Sequence, residues 1–346
     1  MSRSGNTEDH DGKPVVVLVN CAGGPELEVV HRALTGPLGT PTVLIRPGEL
    51  SSTSMALDVD TGLLDIAGRR VRPAVVWVRH ASACALLAQA RPAGSVTPLQ
   101  AESWSGFLRQ VGQAASAALP GGTVVGPGQL AQARRLGVRT PRTVITNDVA
   151  AAARTVASAT LLVKTPDFRL FEPDRANWPP CQPAVVGREA VARGLPADTA
   201  TDGGGVAADG NWGAAGLVPT GDGRPVVVQE YVAHARELRV YHLDGGICAF
   251  EVRKPDPSSP VTDPDSVTVT RVDCPPRAAD AVRTLCAAWD LRYGAFDLLV
   301  PDTGEPVFLE ANPDGDWLWF ERKARWHGVS FMAAVMVREL FVRSTS

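Results

Sequence analysis

The chain has 346 residues, of which 45% are hydrophobic, and its formal net charge at pH 7 is −3. This length allows two or three domains with buried cores, and the balanced charge argues against a nucleic-acid-binding protein. The polar N-terminus lacks the apolar core of a signal peptide, and no run reaches the roughly 18 apolar residues of a membrane span, so we expect a soluble, cytoplasmic protein.

Six cysteines are spread along the chain without a C-x-x-C pair. We therefore expect reduced thiols that lie mostly in hydrophobic cores, and we expect no zinc site. The six are Cys21, Cys84, Cys181, Cys248, Cys274 and Cys286.

Residues 1–13 are predicted to form a flexible N-terminal segment, and residues 14–120 an α/β domain. In 14–120, compact β-branched runs alternate with helical patterns, which is typical of a sheet covered by helices. The predicted strands are 14–20, 42–45 and 74–78, the predicted helices are 26–34 and 98–118, and a hairpin is expected from 57–60 and 68–71.

The central unit, 121–232, is predicted to contain ordered elements on both sides of a long loop. This loop, 166–224, is rich in proline and glycine and shows little periodicity. This loop is interpreted either as a mobile lid or as a flexible linker. If it covers phosphate, the backbone N–H groups of Gly203–Gly205 could approach that phosphate. Asp148 is placed to cap a helix, and Lys164 ends a buried strand. Helices are predicted at 129–136 and 149–158, and strands at 138–143, 160–163 and 225–232.

The C-terminal unit, 233–346, carries the strongest hairpin signals. Asp244-Gly245-Gly246 separates two alternating runs, a pattern that favours a tight β-turn. A second hairpin is predicted around residues 301–306. The predicted strands are 237–243, 247–253, 267–272, 295–300 and 307–311, and the predicted helices are 276–291 and 329–342.

Asp297, Glu310 and Asn312 are the strongest candidates for chemistry. Side chains two apart in a strand share a face, so Glu310 and Asn312 point the same way. If the two strands of the second hairpin pair antiparallel, Asp297 can lie across from them. Two carboxylates and an amide oxygen form a ligand set that suits Mg²⁺. On spacing alone, ordinary solvent-facing hairpin residues are an equally good interpretation.

The sequence around these residues resembles a known enzyme class. GAFD at 294–297 and FLEANP at 308–313 are similar to the metal-binding end of ATP-grasp enzymes. The continuation DGDWLW at 314–319 resembles the ATP-grasp maturases of ribosomal peptides, the microviridin-type or graspetide ligases. Further similarities are WVR within 76–79, GVRTPRTVITND at 137–148, QEYV at 229–232 and ELRV at 237–240.

The resemblance implies a fold, ligands and functional residues. The fold is an α/β (α+β) ATP-grasp fold with an N-terminal pre-ATP-grasp domain, and the ligands are ATP and Mg²⁺. Arg239 would stabilise charge on the transferred phosphoryl group, and Arg253 and Lys254 would contact phosphate or carboxylate. The metal ligands would be Asp297, Glu310 and Asn312, and the nucleotide-binding residues Lys164, Gln229, Glu230, Tyr231, Val232 and Glu237.

The implied reaction is ATP-dependent ligation. A carboxylate attacks the γ-phosphorus of ATP, and an amine or hydroxyl captures the acyl phosphate, giving an amide or ester with ADP and phosphate. The expected substrate is a ribosomal precursor peptide. Of Trp317 and Trp319, we expect one to pack in the core and the other to line the acceptor pocket.

Two features keep other functions open. The segment 126–130 lacks the lysine that the family usually has shortly before the helix that enters the ATP-grasp unit, here predicted at 129–136. The family's Asp-Trp-Arg triplet, associated with substrate engagement, is also absent, and Asp265-Ser266 is the nearest candidate. The alternatives are a ligase of free amino acids or of a small natural-product carboxylate, and a nucleotide-binding partner protein without ligase activity. A homodimer is open, and no nucleic-acid or membrane partner is expected.

Overall fold

The computed structural model describes residues 12–21, 24–50, 52–82, 86, 96–122, 126–164, 166, 184–192, 225–256 and 265–346. The strands of these residues form three sheets, with six strands in the first, four in the second and five in the third. The three sheets lie within the predicted ranges 14–120, 121–232 and 233–346. The division into domains itself stays a prediction.

The first sheet has a parallel centre. β1 (Pro14–Asn20) lies between β2 (Thr42–Ile45) and β5 (Arg69–Arg79), and β6 (Ala117–Leu119) continues the parallel set beyond β5. The β-branched residues of β1 are buried on both faces, as a parallel sheet covered by helices requires. Two helices described in this part are α1 (Glu26–Thr35) and α2 (Pro98–Ala114).

Two sequence predictions for the first sheet are wrong. The expected hairpin is instead two successive hairpins, in which β4 (Leu63–Ile66) pairs with β3 (Met55–Asp58) and then with β5. The Asp58 carboxylate closes the first turn by accepting the N–H groups of Asp60 and Thr61. The helix expected to reach residue 118 ends at Ala114, because the residues of β6 gain burial beside β5.

The elements of the second sheet and its helices are α3 (Gly128–Arg135), β7 (Thr143–Thr146), α4 (Val149–Thr155), β8 (Thr160–Lys164), β9 (Ala184–Gly187), α5 (Arg188–Ala192) and β10 (Val226–Glu230). The sheet is antiparallel, with β10 between β7 and β8 and with β9 at the edge beyond β8. Asp148 caps α4 as predicted, since its side chain accepts the Ala151 N–H.

The strand predicted at 138–143 is wrong, because β7 begins only at Thr143. Pro141 has no N–H to donate to a ladder, and its carbonyl and that of Thr140 accept from the Arg134 guanidinium. Within the long loop predicted at 166–224, the structure describes β9 and α5. Gly203–Gly205 lies outside the described residues.

The elements of the third sheet and its helices are β11 (Arg236–Leu243), β12 (Gly246–Arg253), β13 (Thr268–Val272), α6 (Pro276–Trp289), β14 (Tyr293–Val300), β15 (Val307–Asn312), α7 (Leu318–Ala324) and α8 (Gly328–Thr345). The strands have the order β13-β12-β11-β14-β15, and every neighbouring pair is antiparallel. Asp244 and Gly245 have φ values of 47° and 100°, so the predicted tight turn is confirmed.

The two faces of the third sheet have different neighbours. On one face, Leu238, Val240 and Phe296 pack in a core with α6. On the other face, Tyr241, Phe250 and Tyr293 share a core with the first sheet, α1 and α8. The functional candidates on this second face therefore lie beside the first sheet.

The cysteine and membrane predictions concern the whole chain. Cys21, Cys248, Cys274 and Cys286 are free thiols, and burial raises the pKa of Cys21, Cys248 and Cys286 to about 12. Cys84 and Cys181 lie outside the described residues. Among the helices that the structure describes, none is long and apolar enough to cross a membrane.

Candidate active site

Charged side chains of alternating sign form a row across the third sheet. Arg239 on β11 is the register partner of Asp297 on β14, which in turn is the partner of Glu310 on β15. Arg239 Nη1 donates to both carboxylate oxygens of Asp297, at 2.9 and 2.8 Å. Lys164 Nζ, at the end of β8, lies 3.4 Å from Glu310 Oε2. The row thus connects the second sheet to the third.

The surroundings of Asp297 disfavour its ionised form. Although 27% of its side chain is accessible, burial raises its pKa to about 6; Arg239 acts against this rise, and Glu310 and Glu237 add to it. Burial likewise opposes the charge of Arg239, but Asp297 and Tyr241 together outweigh burial, and the pKa of Arg239 is raised. The pair is therefore a fixed cation beside a carboxylate that a further positive charge would stabilise in its ionised form.

Asn312 shares the face of Asp297 and Glu310, because its register partner is Ala295. Its Oδ1 accepts the N–H of Asp314 at 2.9 Å, so the amide shapes the turn that leaves β15. Among the described residues, no group of three or more His, Cys, Asp or Glu side chains is arranged to hold a metal ion. The predicted magnesium face consists of two carboxylates and an amide.

The loop after Asn312 packs tightly against Arg239. A Cβ on Gly315 would lie 2.9 Å from Arg239 Nη2 and 2.3 Å from the Cβ of Ala295. Tyr293 donates its hydroxyl to the Gly315 carbonyl, and Tyr241 donates to the Asp316 carbonyl at 2.5 Å. The Arg239 guanidinium carbon lies 5.6 Å from the centre of the Tyr241 ring. Only glycine allows this approach.

Arg79, at the end of β5, fixes the same loop from the first sheet. Its side chain is fully buried, and Nη2 donates to the Asp314 carbonyl and to Asp316 Oδ1, both at 2.7 Å. Its Nη1 lies 3.5 Å from Glu26 Oε2, and its guanidinium carbon lies 4.9 Å from the Trp317 ring. Trp317 is fully buried, whereas Trp319 is partly exposed; this confirms the core placement of one of the two tryptophans.

Four of the predicted nucleotide-binding residues lie where the chain passes from the second sheet to the third. Gln229 is buried and donates to Thr143 Oγ1 at 2.8 Å, and Glu230 accepts the Arg142 N–H at 3.0 Å. Val232 packs against the β14–β15 end of the third sheet, and its carbonyl lies 2.9 Å from His234 Nδ1. The Tyr231 N–H donates to the Thr160 carbonyl at 3.2 Å. These residues line the junction rather than the charged row.

The three remaining predicted residues divide between the two sheet faces. Glu237 is two residues before Arg239 on β11 and so shares its face, and Lys254 Nζ lies 2.8 Å from Glu237 Oε2. Arg253 lies on the other face, where its Nε donates to Glu251 Oε1 at 2.6 Å and 76% of its side chain is exposed. The structure therefore does not bring Arg253 together with Arg239.

Gln129 is a functional candidate that sequence reasoning missed. Its side-chain amide, only 3% exposed, accepts the Ala311 N–H at 2.7 Å and donates to the Ala311 carbonyl at 2.9 Å. Ala311 lies between Glu310 and Asn312 on the edge strand β15, so Gln129 acts as a substitute for a neighbouring strand. No pattern in the sequence marks this glutamine, whereas the strand that ends in WVR does mark Arg79.

Solved structures share this architecture. The ATP-grasp ligase PsnB, complexed with a phosphomimetic variant of its minimal precursor, Mg and ADP, matches with a TM-score of 0.68 and 17% identity, over 98% of this chain and 100% of that chain. The macrocyclase MdnC of Microcystis aeruginosa MRC, bound with the precursor peptide MdnA, matches with a TM-score of 0.65 and 16% identity, over 94% and 100%. This chain has the ATP-grasp fold.

A third solved structure with this fold is that of a D-cycloserine synthetase. The D-cycloserine synthetase DcsG matches with a TM-score of 0.54 and 17% identity, over 94% of this chain and 99% of that chain. No protein-family model and no curated protein sequence matches the chain. At these identities, the ATP-grasp fold is shared, and the chemistry must be argued from the residues.

Proposed function

We propose that this protein is an ATP-dependent ligase. It transfers the γ-phosphoryl group of ATP to a carboxylate and passes the acyl group to an amine or hydroxyl, which yields an amide or ester, ADP and phosphate. The observation that carries the proposal is the row formed by Lys164, Glu310, Asp297 and Arg239. Fixed charges of both signs, partly shielded from water, are suited to binding a polyphosphate together with a cation.

The two cations of the row would bind and orient the phosphates. Both hydrogen bonds from Arg239 to Asp297 come from Nη1 and Nε is buried, so Nη2 would donate to the transferred phosphoryl group and to the acyl phosphate. Lys164 would pair with the phosphates as a point charge from the second sheet. Lys254, held by Glu237, would add a contact to phosphate or to the substrate carboxylate.

Asp297, Glu310 and Asn312 would hold Mg²⁺. The donor set is hard oxygen, and a bound cation would oppose the rise in the pKa of Asp297 that burial causes and to which Glu310 and Glu237 add. When bound, Mg²⁺ supplies neutralisation of the phosphate charge. Asn312 Oδ1 accepts the Asp314 N–H and has a second lone pair for a metal.

The nucleotide base would lie at the junction of the second and third sheets. Gln229, Glu230, Tyr231 and Val232 are proposed to contact adenine and ribose, with Val232 acting through its backbone and Glu237 near the ribose or substrate. The Val232 carbonyl lies within hydrogen-bond distance of His234 Nδ1, so nucleotide binding would compete with that contact. This placement puts the phosphates between Lys164 and Arg239.

For the carboxylate, we propose a ribosomal precursor peptide in natural-product biosynthesis. PsnB and MdnC were both solved with precursor peptides, and both align with nearly the whole of this chain. The DGDWLW run that resembles the graspetide ligases forms the loop held by Arg79 and Tyr241. The second candidate is a ligase of free amino acids or another small carboxylate, which the match to DcsG favours.

A screen of ADP release separates the two substrate classes. Purified protein with Mg²⁺ and ATP would be incubated either with peptides that carry Asp or Glu together with Lys, Ser or Thr, or with free amino acids. Peptide-dependent ADP release, together with a product lighter than the peptide by one water in mass spectrometry, supports the peptide ligase. Release with free amino acids alone supports the small-molecule ligase. No release with either class contradicts both.

A further inference from the structure

His80 lies where a parallel α/β sheet presents its ligands. It follows the last residue of β5, next to the carboxyl end of β1, and the sheet extends away from this strand pair in both directions, to β2 and to β6. Ligands of such sheets bind outside the carboxyl ends of the strands at this point. His80 also has a φ of +56°, a conformation that is costly for a non-glycine residue and that concentrates at functional sites.

Asp316 orients the His80 ring. The Asp316 Oδ1 atom lies 3.3 Å from His80 Nε2 and accepts from Arg79 Nη2 at 2.7 Å. A carboxylate beside Nε2 selects the tautomer with its proton on that nitrogen, which leaves the Nδ1 lone pair free to accept a proton. No described residue forms a hydrogen bond with Nδ1, and 21% of the side chain is exposed.

This histidine is connected to the charged row through a short path. The Asp316 carbonyl accepts from the Tyr241 hydroxyl, and the Tyr241 ring lies beneath the Arg239 guanidinium. The preceding residue, Gly315, approaches Arg239 so closely that it has no room for a side chain. The loop that carries Asp316 thus forms a common wall between His80 and the phosphate-binding arginine.

We propose that His80, oriented by Asp316, is the general base that deprotonates the acceptor. This inference rests on the proposed ligase function and concerns its second half. As the acceptor nitrogen or oxygen attacks the acyl carbon, a C–N or C–O bond forms and the bond from that carbon to the phosphate oxygen breaks. The phosphate leaves with the electron pair, and the acceptor proton moves to His80 Nδ1. No oxidant or further reactant is needed.

The test uses a substitution that keeps the backbone of residue 80. Asparagine tolerates positive φ but cannot act as a base, so we would compare His80→Asn with wild type on the carboxylate substrate that supports ADP release in the screen. Hydroxylamine captures an acyl phosphate without help from a base. We expect hydroxylamine-dependent ADP release within about threefold of wild type, and formation of the crosslinked product lower by roughly 10²–10⁴-fold.

A second variant tests the base directly. His80→Gly accepts the same backbone and leaves space for free imidazole, which we expect to restore part of the ligation rate. His31→Asn, a histidine change on α1 outside this loop, is the matched control and should leave both rates unchanged.

Three results would overturn the role. They are an equal fall of both rates in His80→Asn, unchanged crosslinking in that variant, or a folded His80→Gly protein that imidazole does not rescue. Absence of ADP release from the wild type with every carboxylate would reject the ligase function itself, and this role with it.

Discussion

The conformation of the loop between Asn312 and Trp317 requires glycine at position 315. A Cβ on Gly315 would lie 2.3 Å from the Ala295 Cβ and 2.9 Å from Arg239 Nη2, so a side chain there would force its neighbours to shift. We expect Gly315→Ala to lower the free energy of unfolding by about 1–3 kcal/mol through overpacking and to lower ADP release by at least about tenfold. Gly106→Ala in α2, where nothing lies within 4 Å, should be neutral or stabilising.

Asp316 makes a prediction about acid stability. Burial acts to raise its pKa, but the contacts with His80 and Arg79 outweigh burial and lower the pKa to about 2. A lowered pKa in the folded state means that the stabilisation is complete above the unfolded value, near 4, and is lost as the pH falls towards 2. Because the side chain is 47% exposed, we expect a difference of only about 1 kcal/mol.

Urea titrations of wild type and Asp316→Asn at several pH values would measure this difference. The two proteins should differ at pH 6 and converge as the pH approaches 2. A difference that grows on acidification would contradict the assignment of charge to Asp316.

The sequence identified single residues best where a period decides the face. Glu310 and Asn312 share a face because they are two apart, and antiparallel pairing is enough to add Asp297. The same rule explains Arg253, since adjacent residues of a strand face opposite sides and only one of Arg253 and Lys254 can accompany Arg239. The register that selects Lys254 is set by long-range pairing, which a local pattern does not contain. The roles of all these residues stay predictions.

At the scale of elements, the edge strand β15 is completed by a side chain. Gln129 pairs with both backbone groups of Ala311, and Phe308 donates its N–H to the Arg139 carbonyl at 2.9 Å. We expect Gln129→Leu to leave a buried N–H and a buried carbonyl unpaired, at a cost of about 1–3 kcal/mol for each group. Unfolding in urea and hydrogen exchange of the Ala311 amide would measure it.

Gln113→Leu, at an exposed position of α2, is the matched control for Gln129→Leu. The exchange rate of the Ala311 amide should rise only in the Gln129 variant. If both variants lose equal stability, the strand does not depend on the glutamine.

Elements with a strong local signal were predicted closely, and those that depend on distant partners were not. The β-branched run of β1, the Asp148 cap and the Asp244-Gly245 turn are each determined by residues within the element itself. In contrast, β6 follows a helical pattern and becomes a strand only because β5 has a free edge for it. The 138–142 segment forms no regular strand, because Arg134 binds the carbonyls of Thr140 and Pro141 and only single backbone hydrogen bonds, such as Phe308 N–H to the Arg139 carbonyl, join it to other elements.

For the whole molecule, Arg79 is a buried polar link between the first sheet and the third. It is buried between Glu26 on α1 and the loop that follows β15. We expect Arg79→Met to lower the free energy of unfolding by about 3–5 kcal/mol, because two carboxylates and a carbonyl lose a buried cation. Arg70→Met on the same strand should cost less than about 0.5 kcal/mol, since its pair with Asp58 is long and exposed.

Denaturant unfolding of both variants would compare the two arginines. A similar, small loss in each would show that the link contributes little. The sequence predicts three units, and that division stays a prediction; it does not predict that α8 and the third sheet share one core with the first sheet, because packing between distant elements leaves no local pattern.

The most direct measurement of the central claim is Mg²⁺-dependent ADP release by variants of the charged row. Asp297→Asn and Glu310→Gln keep shape and remove charge, and Asp302→Asn in the exposed β14–β15 turn is the matched control. We predict that each of the first two variants lowers release by at least about 10²-fold and needs more Mg²⁺, whereas the control matches wild type. Release by Asp297→Asn and Glu310→Gln at the wild-type rate and Mg²⁺ requirement would contradict an ATP site at this row.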